Sequence, residues 1–279
     1  MKKSFITAIF LIVTVSCLAK SKPELLIFSS PNLHRTDSVL IFSPKKASAS
    51  TPVLVLLHGR SGCFRDWSRH MDLQALSLET GFRIICPDGF KTGWYMDVPE
   101  GDGMMWRKFF WEELWPELVA RYGMMPDRTF IDGLSMGGNG AMNIFLDRPE
   151  LFRGAGSMSG VLDLNDSSNA GKDLSKAAGR QYTTGDLACR SAIERLGRLR
   201  EVCNEGAADK LLLISSGASD RYAVTAGNFA EKCRTEGLRY VLMINPGRHK
   251  WPVWTWTIRY HLDWFSQHMK GAGVFSPEK

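Results

Sequence analysis

The sequence predicts an α/β fold in which a mostly parallel sheet is covered by helices on both faces. Continuous apolar runs at residues 53–57 and 82–86 each lead into a loop, as buried parallel strands do. Helical patterns at residues 105–122 and 222–236 alternate with these strand patterns along the chain. An alternation of this kind is typical of a doubly covered sheet.

The remaining patterns complete one domain over residues 24–271. Two short apolar runs within residues 24–42 flank a polar stretch and predict an antiparallel pair at the edge of the sheet. Residues 163–209 are rich in Ser, Gly, Ala and Asp around a helix-like run at 188–200, which predicts a small insertion after the sixth strand. The other predicted strands are residues 128–132, 152–158, 210–216 and 239–245.

The composition excludes several classes of function. Hydrophobic residues make up 44% of the 279 residues and charged residues 23%, proportions typical of a folded globular protein with a sizeable core. The formal charge is +6, but the Lys and Arg residues are scattered rather than arranged along one face, so we expect no nucleic-acid partner. The spacing of Cys and His residues indicates no metal site.

The N-terminus has two lysines, an apolar run at residues 5–15 and then small residues, which is the layout of a secretory signal peptide at residues 1–19. The run is shorter than the ~20 apolar residues needed to span a bilayer. Alternatively, Val15-Ser16-Cys17 resembles a bacterial lipobox, in which Cys17 is lipidated and becomes the mature N-terminus. Both interpretations predict an exported protein, either periplasmic, extracellular or anchored in the envelope, with membrane attachment only through Cys17.

Five further cysteines form an odd set that cannot pair completely within the chain. Cys189 and Cys203 could bridge a short loop, although a chain of this length does not need disulfides. The sequence leaves the pairing open.

The run Gly133-Leu134-Ser135-Met136-Gly137 fits the GxSxG pattern of a nucleophile elbow. It lies between a predicted strand and a predicted helix at residues 137–146, where its glycines permit the sharp turn that exposes the serine hydroxyl. Serine is a weak nucleophile by itself, so it needs a histidine base and a carboxylate that orients the histidine. We therefore predict Ser135 as a catalytic nucleophile.

Two residues that follow later strands would complete a catalytic triad. Asp220 ends SGASD directly after the strand LLLIS, and His249 lies in PGRHKW directly after the strand YVLMIN. Loops that follow parallel strands open at the same edge of the sheet, so both side chains are expected near Ser135. The order Ser, Asp, His is the one that this type of elbow uses. Asp163 is a competing acid, and Asp220 could instead cap the helix that follows it.

A serine nucleophile of this kind also needs two donors for the oxyanion of the tetrahedral intermediate. The usual donors are the backbone N–H after the nucleophile and one in the loop after the early strand that ends in His-Gly. These positions predict Met136 and Arg60, and Ser61 could serve in place of Arg60.

Six blocks occur in order between residues 53 and 264: LLHGRSGCFRDW, PDGFKTGWYMDVP, GLSMGGNGAM, RPELFRGAGSMSGVLDL, SGASD and PGRHKWPVW. They resemble the bacterial esterase family that includes esterase D, feruloyl esterases, tributyrin esterases and the mycolyltransferases. The resemblance implies an α/β-hydrolase fold, cleavage of carboxylic esters without a cofactor, and Ser135, Asp220 and His249 as the triad.

The block Gly93-Trp94-Tyr95-Met96-Asp97 resembles the SWY-x-D stretch of the feruloyl and tributyrin esterase branch. On that basis we predict a small-molecule or polysaccharide ester as substrate, either an acetyl or feruloyl ester of a carbohydrate or a short-chain acyl ester. Trp94 and Trp251 lie on loops at strand ends and are candidates to line the substrate pocket, although either could be a packed aromatic of the core.

Two alternatives to ester hydrolysis remain at this stage. An acyl-enzyme can be intercepted by an acceptor alcohol instead of water, as in the mycolyltransferases, which share these motifs. A catalytically silent binding lipoprotein on the same fold is less consistent with the sequence, because no position of the triad is replaced.

Overall fold

The computed structural model describes residues 22–101, 103–203 and 209–269. The predicted signal peptide, Cys17 and residues 270–271 of the predicted domain lie outside the described residues. Eight strands form one sheet in the order β1-β2-β4-β3-β5-β6-β7-β8. They are β1 (Glu24–Ser30), β2 (Arg35–Phe42), β3 (Val53–Leu57), β4 (Arg83–Pro87), β5 (Thr129–Gly133), β6 (Gly154–Met158), β7 (Leu211–Gly217) and β8 (Tyr240–Asn245).

The direction of the strands follows the prediction. β3 to β8 run parallel to one another, while β1 pairs antiparallel with β2, which in turn pairs antiparallel with β4. The predicted edge pair is therefore confirmed as the antiparallel margin of a mostly parallel sheet. Because β3 to β8 share one direction, the loops that follow them open at a single edge.

Helices cover both faces of the sheet. They are α1 (Asp66–His70), α2 (Leu73–Thr80), α3 (Trp106–Phe109), α4 (Trp115–Tyr122), α5 (Met136–Asp147), α6 (Ser168–Ala178), α7 (Thr184–Ala188), α8 (Arg198–Cys203), α9 (Ala223–Thr235) and α10 (Trp251–Met269).

The core lies in two layers, because successive side chains of a strand point to opposite faces. Along β3, Val53, Val55 and Leu57 pack with residues of α3, α4, α5 and α9, whereas Leu54 and Leu56 pack with residues of α2 and α10. All five side chains are fully buried. Burial on both faces explains why the strand is a continuous apolar run rather than an alternating one.

The run at residues 105–122 is not one regular helix. A π-helical turn at Phe110–Leu114 separates α3 from α4, and the Trp115 amide donates to the Phe110 carbonyl, five residues back. Pro116 has no amide hydrogen to donate to residue 112, and its ring would crowd that carbonyl in a regular helix. The wider turn before Pro116 relieves this conflict.

The predicted insertion after the sixth strand is present, but its helices differ from the prediction. The run at residues 188–200 is not a single helix, because α7 ends at Ala188 and α8 begins at Arg198, with a 3₁₀ turn at Ile193–Arg195 between them. A capping box of Thr183 and Asp186 sets the start of α7. The sequence pattern did not indicate α6, which is the longest helix among the described residues of the insertion.

The described residues show three further features. Their five cysteines are free thiols. No helix in the described ranges is long and apolar enough to cross a membrane. Within the same ranges, no group of three or more His, Cys, Asp or Glu side chains is arranged to hold a metal ion.

A buried contact between a histidine and a carboxylate joins α10 to the central strand. His261 Nδ1 on α10 lies 2.6 Å from Asp132 Oδ2 on β5, and both side chains are fully buried. Gly156 on the neighbouring strand leaves room for this carboxylate, since a Cβ there would lie 2.3 Å from Asp132 Oδ2. The pair fixes α10 against the strand that leads into the GxSxG turn.

We expect Asp132→Ala to lower the free energy of unfolding by about 2 kcal/mol, because it leaves the buried Nδ1 of His261 without its partner. Urea denaturation of the purified protein measures this change. Asp263→Ala on the exposed side of α10 is the matched control. Equal, small effects for the two variants would show that the buried pair does not stabilise the fold.

Candidate active site

Ser135 lies in a sharp turn between β5 and α5. Its φ of 54° and ψ of −116° are rarely adopted by a residue with a side chain. The turn also needs Gly137, because a Cβ there would lie 2.5 Å from the His58 carbonyl oxygen. The amide of Ser135 donates to the Met158 carbonyl at 2.9 Å, and the Val161 amide donates to the Ser135 carbonyl at 3.3 Å. The GxSxG run therefore has the geometry of a nucleophile elbow.

The structure brings the three residues of the predicted triad together. His249 Nε2 lies 2.9 Å from Ser135 Oγ, and His249 Nδ1 lies 2.9 Å from Asp220 Oδ2. The side chain of Asp220 is fully buried and that of His249 is 18% exposed. A neutral imidazole that donates Nδ1–H to Asp220 leaves Nε2 free to accept the proton of the Ser135 hydroxyl.

Asp220 is held in its charged form. Burial raises the pKa of this carboxyl, but the nearby donors, His249 and the Tyr222 amide foremost, outweigh burial and place the pKa below its ordinary value. The Tyr222 amide lies 2.9 Å from Asp220 Oδ1, just before α9 begins. Asp220 thus contacts His249 and also satisfies an amide at the start of the helix, so the two sequence interpretations are compatible.

Asp163, the competing acid, has another role in the structure. Its side chain accepts from the Asn165 amide at 2.9 Å and caps the short 3₁₀ turn Leu164–Asp166. The Ser191 hydroxyl also donates to it, at 3.3 Å. These contacts orient Asp163 within the insertion rather than towards His249.

The two predicted oxyanion donors lie next to the nucleophile. Met136 is the first residue of α5, and the first amides of a helix have no acceptor within the helix. Arg60 follows β3 and lines the same cleft as Ser135. The Ser61 amide donates to the Lys91 carbonyl at 2.7 Å, whereas the Arg60 amide has no hydrogen-bond acceptor among the described residues. This arrangement favours Arg60 over Ser61.

The loop that carries Arg60 is tied to the insertion. Arg60 Nε and Nη2 donate to the Asp173 carboxylate at 2.6 and 2.9 Å, a bidentate pair in which the Asp173 side chain is 9% exposed. Trp94 Nε1 donates to the same carboxylate at 3.0 Å. Asp173 lies on α6, so one side chain of the insertion holds two loops of the site.

A cleft of about 870 Å³ opens above Ser135 and His249. His70 and Trp251 stack face to face in one wall, with ring centroids 3.8 Å apart and an interplanar angle of 6°. Trp94 contributes to the wall but is only 1% exposed, so most of its ring packs inside the protein. The aromatic residues that line the cleft are His70, Trp94, Tyr222, Trp251 and Trp254.

The sequence matches the Esterase family, described as "Putative esterase", over residues 30–264. The chain belongs to this family. It is a carboxylic ester hydrolase, as the resemblance of its six sequence blocks implied.

Two relatives illustrate the range of the family. An acetyl esterase of Caldicellulosiruptor saccharolyticus is 25% identical over 235 residues, which cover 79% of this esterase and 85% of the relative. The diacylglycerol acyltransferase/mycolyltransferase Ag85A of Mycobacterium tuberculosis is 29% identical over 163 residues, or 54% of this esterase and 47% of the relative. The esterase thus matches about half the length of the mycolyltransferase.

Solved structures confirm the α/β-hydrolase fold. A ferulic acid esterase superposes with a TM-score of 0.73 at 19% identity, over 89% of this esterase and 99% of that chain. An S-formylglutathione hydrolase from Agrobacterium tumefaciens superposes with a TM-score of 0.74 at 19% identity, over 88% and 94% of the two chains.

Three residues of the site were not identified from the sequence. Asp173 lies in the insertion, where no motif or strand end marked it. Ser159 follows β6 at the same edge of the sheet as Ser135. Its position directly after a predicted strand could have identified it from the sequence. Trp254, whose ring centroid lies 4.9 Å from that of His249, is the last residue of the block PGRHKWPVW, and no role was predicted for it.

We expect Asp173→Ala to lower kcat of this esterase by about tenfold with little change in KM, because the Arg60 loop loses its anchor. The loss is smaller than the 10²–10³-fold typical of removing an oxyanion donor, since the backbone amide itself remains. Steady-state kinetics on p-nitrophenyl acetate measure both constants. Lys172→Ala, an exposed residue beside Asp173 on α6, is the control and should match the wild type. An unchanged kcat in Asp173→Ala would contradict this role.

Proposed function

We propose that this esterase cleaves carboxylic esters through an acyl-enzyme on Ser135, with His249 as general base and Asp220 as the orienting carboxylate. The observation that carries the proposal is the continuous line of contacts from Ser135 Oγ to His249 Nε2 and from His249 Nδ1 to Asp220, at 2.9 Å each. Ser135 and His249 line the cleft, and Ser135 lies at the strained turn that exposes its hydroxyl to substrate.

In the first half-reaction, Ser135 Oγ attacks the carbonyl carbon of the ester while its proton passes to His249 Nε2. The carbonyl oxygen becomes an oxyanion, which the amides of Met136 and Arg60 stabilise. Asp220 stabilises the imidazolium that forms. The tetrahedral intermediate then collapses, the bond to the alcohol breaks, and the alcohol leaves with the proton from His249.

In the second half-reaction, water replaces the alcohol. His249 takes a proton from the water as the hydroxide adds to the acyl carbon of the ester on Ser135. A second oxyanion forms at the same two amides and collapses. The carboxylic acid is released, and the proton returns from His249 to Ser135 Oγ.

The cleft supports an acetyl or feruloyl ester of a carbohydrate as the substrate, with a simple short-chain acyl ester as the second candidate. Aromatic side chains such as Trp251 in the wall of the cleft suit the apolar face of a sugar or the ring of an aromatic acid. The names of the acetyl esterase relative and the ferulic acid esterase structure agree with these two acyl groups.

Acyl transfer is the second candidate function, favoured by the relatives named mycolyltransferases. In that case an acceptor alcohol takes the place of water in the second half-reaction. The match covers about half of those proteins, so hydrolysis is the better supported fate of the acyl group.

We also propose that the protein is exported. Residues 1–19 have the layout of a signal peptide, and the alternative interpretation, lipidation of Cys17, also implies export. An exported enzyme would meet polysaccharide esters directly. No nucleic-acid partner is proposed, because the chain has no basic stripe in its sequence.

We expect Ser135→Ala to reduce kcat on p-nitrophenyl acetate by about 10⁴-fold or more, because it removes the hydroxyl that contacts His249 Nε2. Ser50→Ala on the exposed surface is the control and should be fully active. Circular dichroism shows that both variants are folded. Retention of wild-type activity by Ser135→Ala would refute the proposed nucleophile.

We expect acetylated xylan or methyl ferulate to be hydrolysed with a higher kcat/KM than p-nitrophenyl acetate, and Trp251→Ala to lose about tenfold of that advantage. Trp256→Ala, an exposed tryptophan outside the cleft, is the matched control. Adding a sugar acceptor to these assays reports transfer as a new ester in place of free acid. Equal losses of kcat/KM on all three substrates would show that Trp251 does not recognise the carbohydrate or feruloyl ester.

A further inference from the structure

Besides its histidines, the cleft above the nucleophile is lined by charged side chains of both signs. They are Arg60, Asp66, Arg221 and Lys250. Two of these side chains have a partner of opposite charge. Arg60 forms the bidentate pair with Asp173, and Arg69 Nη1 lies 3.3 Å from Asp66 Oδ1. The charges that Arg60 and Asp66 bring to the cleft are therefore balanced within the protein.

Arg221 and Lys250 differ in this respect. Across residues 22–101, 103–203 and 209–269, no acidic side chain lies within 4.0 Å of either cationic group. Both residues are exposed. The nearest acid in the chain, Asp220, is fully buried against His249 and does not line the cleft. Two positive charges therefore face the cleft without an ion-pair partner in the part of the chain that the structure describes.

The two cations lie close to the catalytic residues. Arg221 directly follows the acid of the triad in the chain, and Lys250 directly follows the base. The Arg221 guanidinium carbon lies 5.8 Å from the centre of the Tyr222 ring, and that ring lies 5.3 Å from the His249 ring between centroids. A substrate whose ester group reaches the nucleophile is thus within the field of both charges.

The positions of the two cations do not stabilise the fold. Lys250 immediately precedes α10, and Arg221 lies two residues before α9. The N-terminal end of a helix carries a partial positive charge, so a cation there is unfavourable. Neither helix has an acidic residue in its first turn to offset this repulsion. A ligand of negative charge in the cleft gives both side chains a role that the helices do not.

We propose that Arg221 and Lys250 are specificity-determining residues that bind a carboxylate of the substrate, so that this esterase prefers esters that carry a carboxylate near the scissile bond. This inference rests on the proposed function, because the charges act on the ester that Ser135 cleaves. Arginine presents a planar fork that matches a carboxylate, and lysine adds a compact point charge. The substrate class is then an acidic ester, such as the ester of a carbohydrate that contains a sugar acid.

The aromatic wall of the cleft is compatible with such a substrate. Trp251 follows Lys250 in the chain, and both residues line the cleft. A sugar ring packed on the indole of Trp251 would place its carboxylate near the Lys250 ammonium group. The volume of about 870 Å³ is within the range of clefts that hold a ligand of this size.

Two matched pairs of substrates test the proposal. 4-Acetoxybenzoate and 4-acetoxybenzamide differ only in a charge on the alcohol part of the ester. The p-nitrophenyl esters of 4-carboxybenzoic acid and 4-carbamoylbenzoic acid differ in the same charge on the acyl part. Within a pair, the ratio of kcat/KM for the charged ester to kcat/KM for the neutral one reports the preference for a carboxylate. The pair that responds shows which part of the ester carries it.

We expect Arg221→Gln and Lys250→Gln each to lower this ratio about fivefold on at least one pair, the size of the interaction between two unit charges about 4 Å apart in water. The double variant should lose more than either single variant. Raising NaCl from about 20 mM to about 500 mM should lower the wild-type ratio on the same pair, because salt screens exposed charges.

Three further variants serve as controls. Arg221→Lys and Lys250→Arg keep the charge and should retain most of the wild-type ratio. Lys46→Gln removes an exposed charge from the loop between β2 and β3, at the opposite edge of the sheet, and should leave the ratio unchanged. Both esters of a pair are measured on the same preparation, so a partly unfolded variant does not alter the ratio.

Two results would overturn the proposal. One is a wild-type ratio in the double variant on both pairs, which would mean that the two cations do not recognise a carboxylate. The other is an equal loss in Lys46→Gln, which would assign the effect to the charge of the whole protein. Failure of the proposed function is distinguishable from both, since it would appear as an active Ser135→Ala.

Discussion

Ser135 holds a backbone conformation that residues with side chains rarely adopt, and the elements around it are arranged to keep it there. β5 and α5 meet at this residue; its amide donates to the last residue of β6, and its carbonyl accepts from the loop after β6. A strained backbone conformation of this kind persists only where the surrounding structure holds it in place. The exposed hydroxyl, the start of α5 and the position of the Met136 amide all follow from this one turn.

The parallel direction of β3 to β8 is the second constraint, because it assembles a site from residues far apart in the chain. Ser135, Asp220 and His249 follow β5, β7 and β8, and Arg60 follows β3. These four residues come together in the folded protein although they are far apart in the sequence. Each loop has only to leave the same edge of the sheet, which leaves the rest of the loop free to shape the cleft.

This constraint explains what could be predicted from the sequence. The bounds of β3 were predicted correctly, and the triad residues were found because a motif or a strand end marks each of them. Residues that act through long-range contacts are not identified by a motif or a strand end. Asp173 reaches Arg60 across 113 positions, and Ser159 reaches Trp254 across 95. The π-helical turn before Pro116 was missed because a helical pattern shows which face is apolar and not how tightly each turn is wound.

The central claim is that Ser135 carries the acyl group during turnover. Acid quenching of the enzyme during hydrolysis of p-nitrophenyl acetate, followed by mass spectrometry of its peptides, tests this claim most directly. We expect one acetyl group on the peptide that contains Ser135, and none on that peptide in Ser135→Ala. Hydrolysis that proceeds with the acetyl group on a different residue would contradict it.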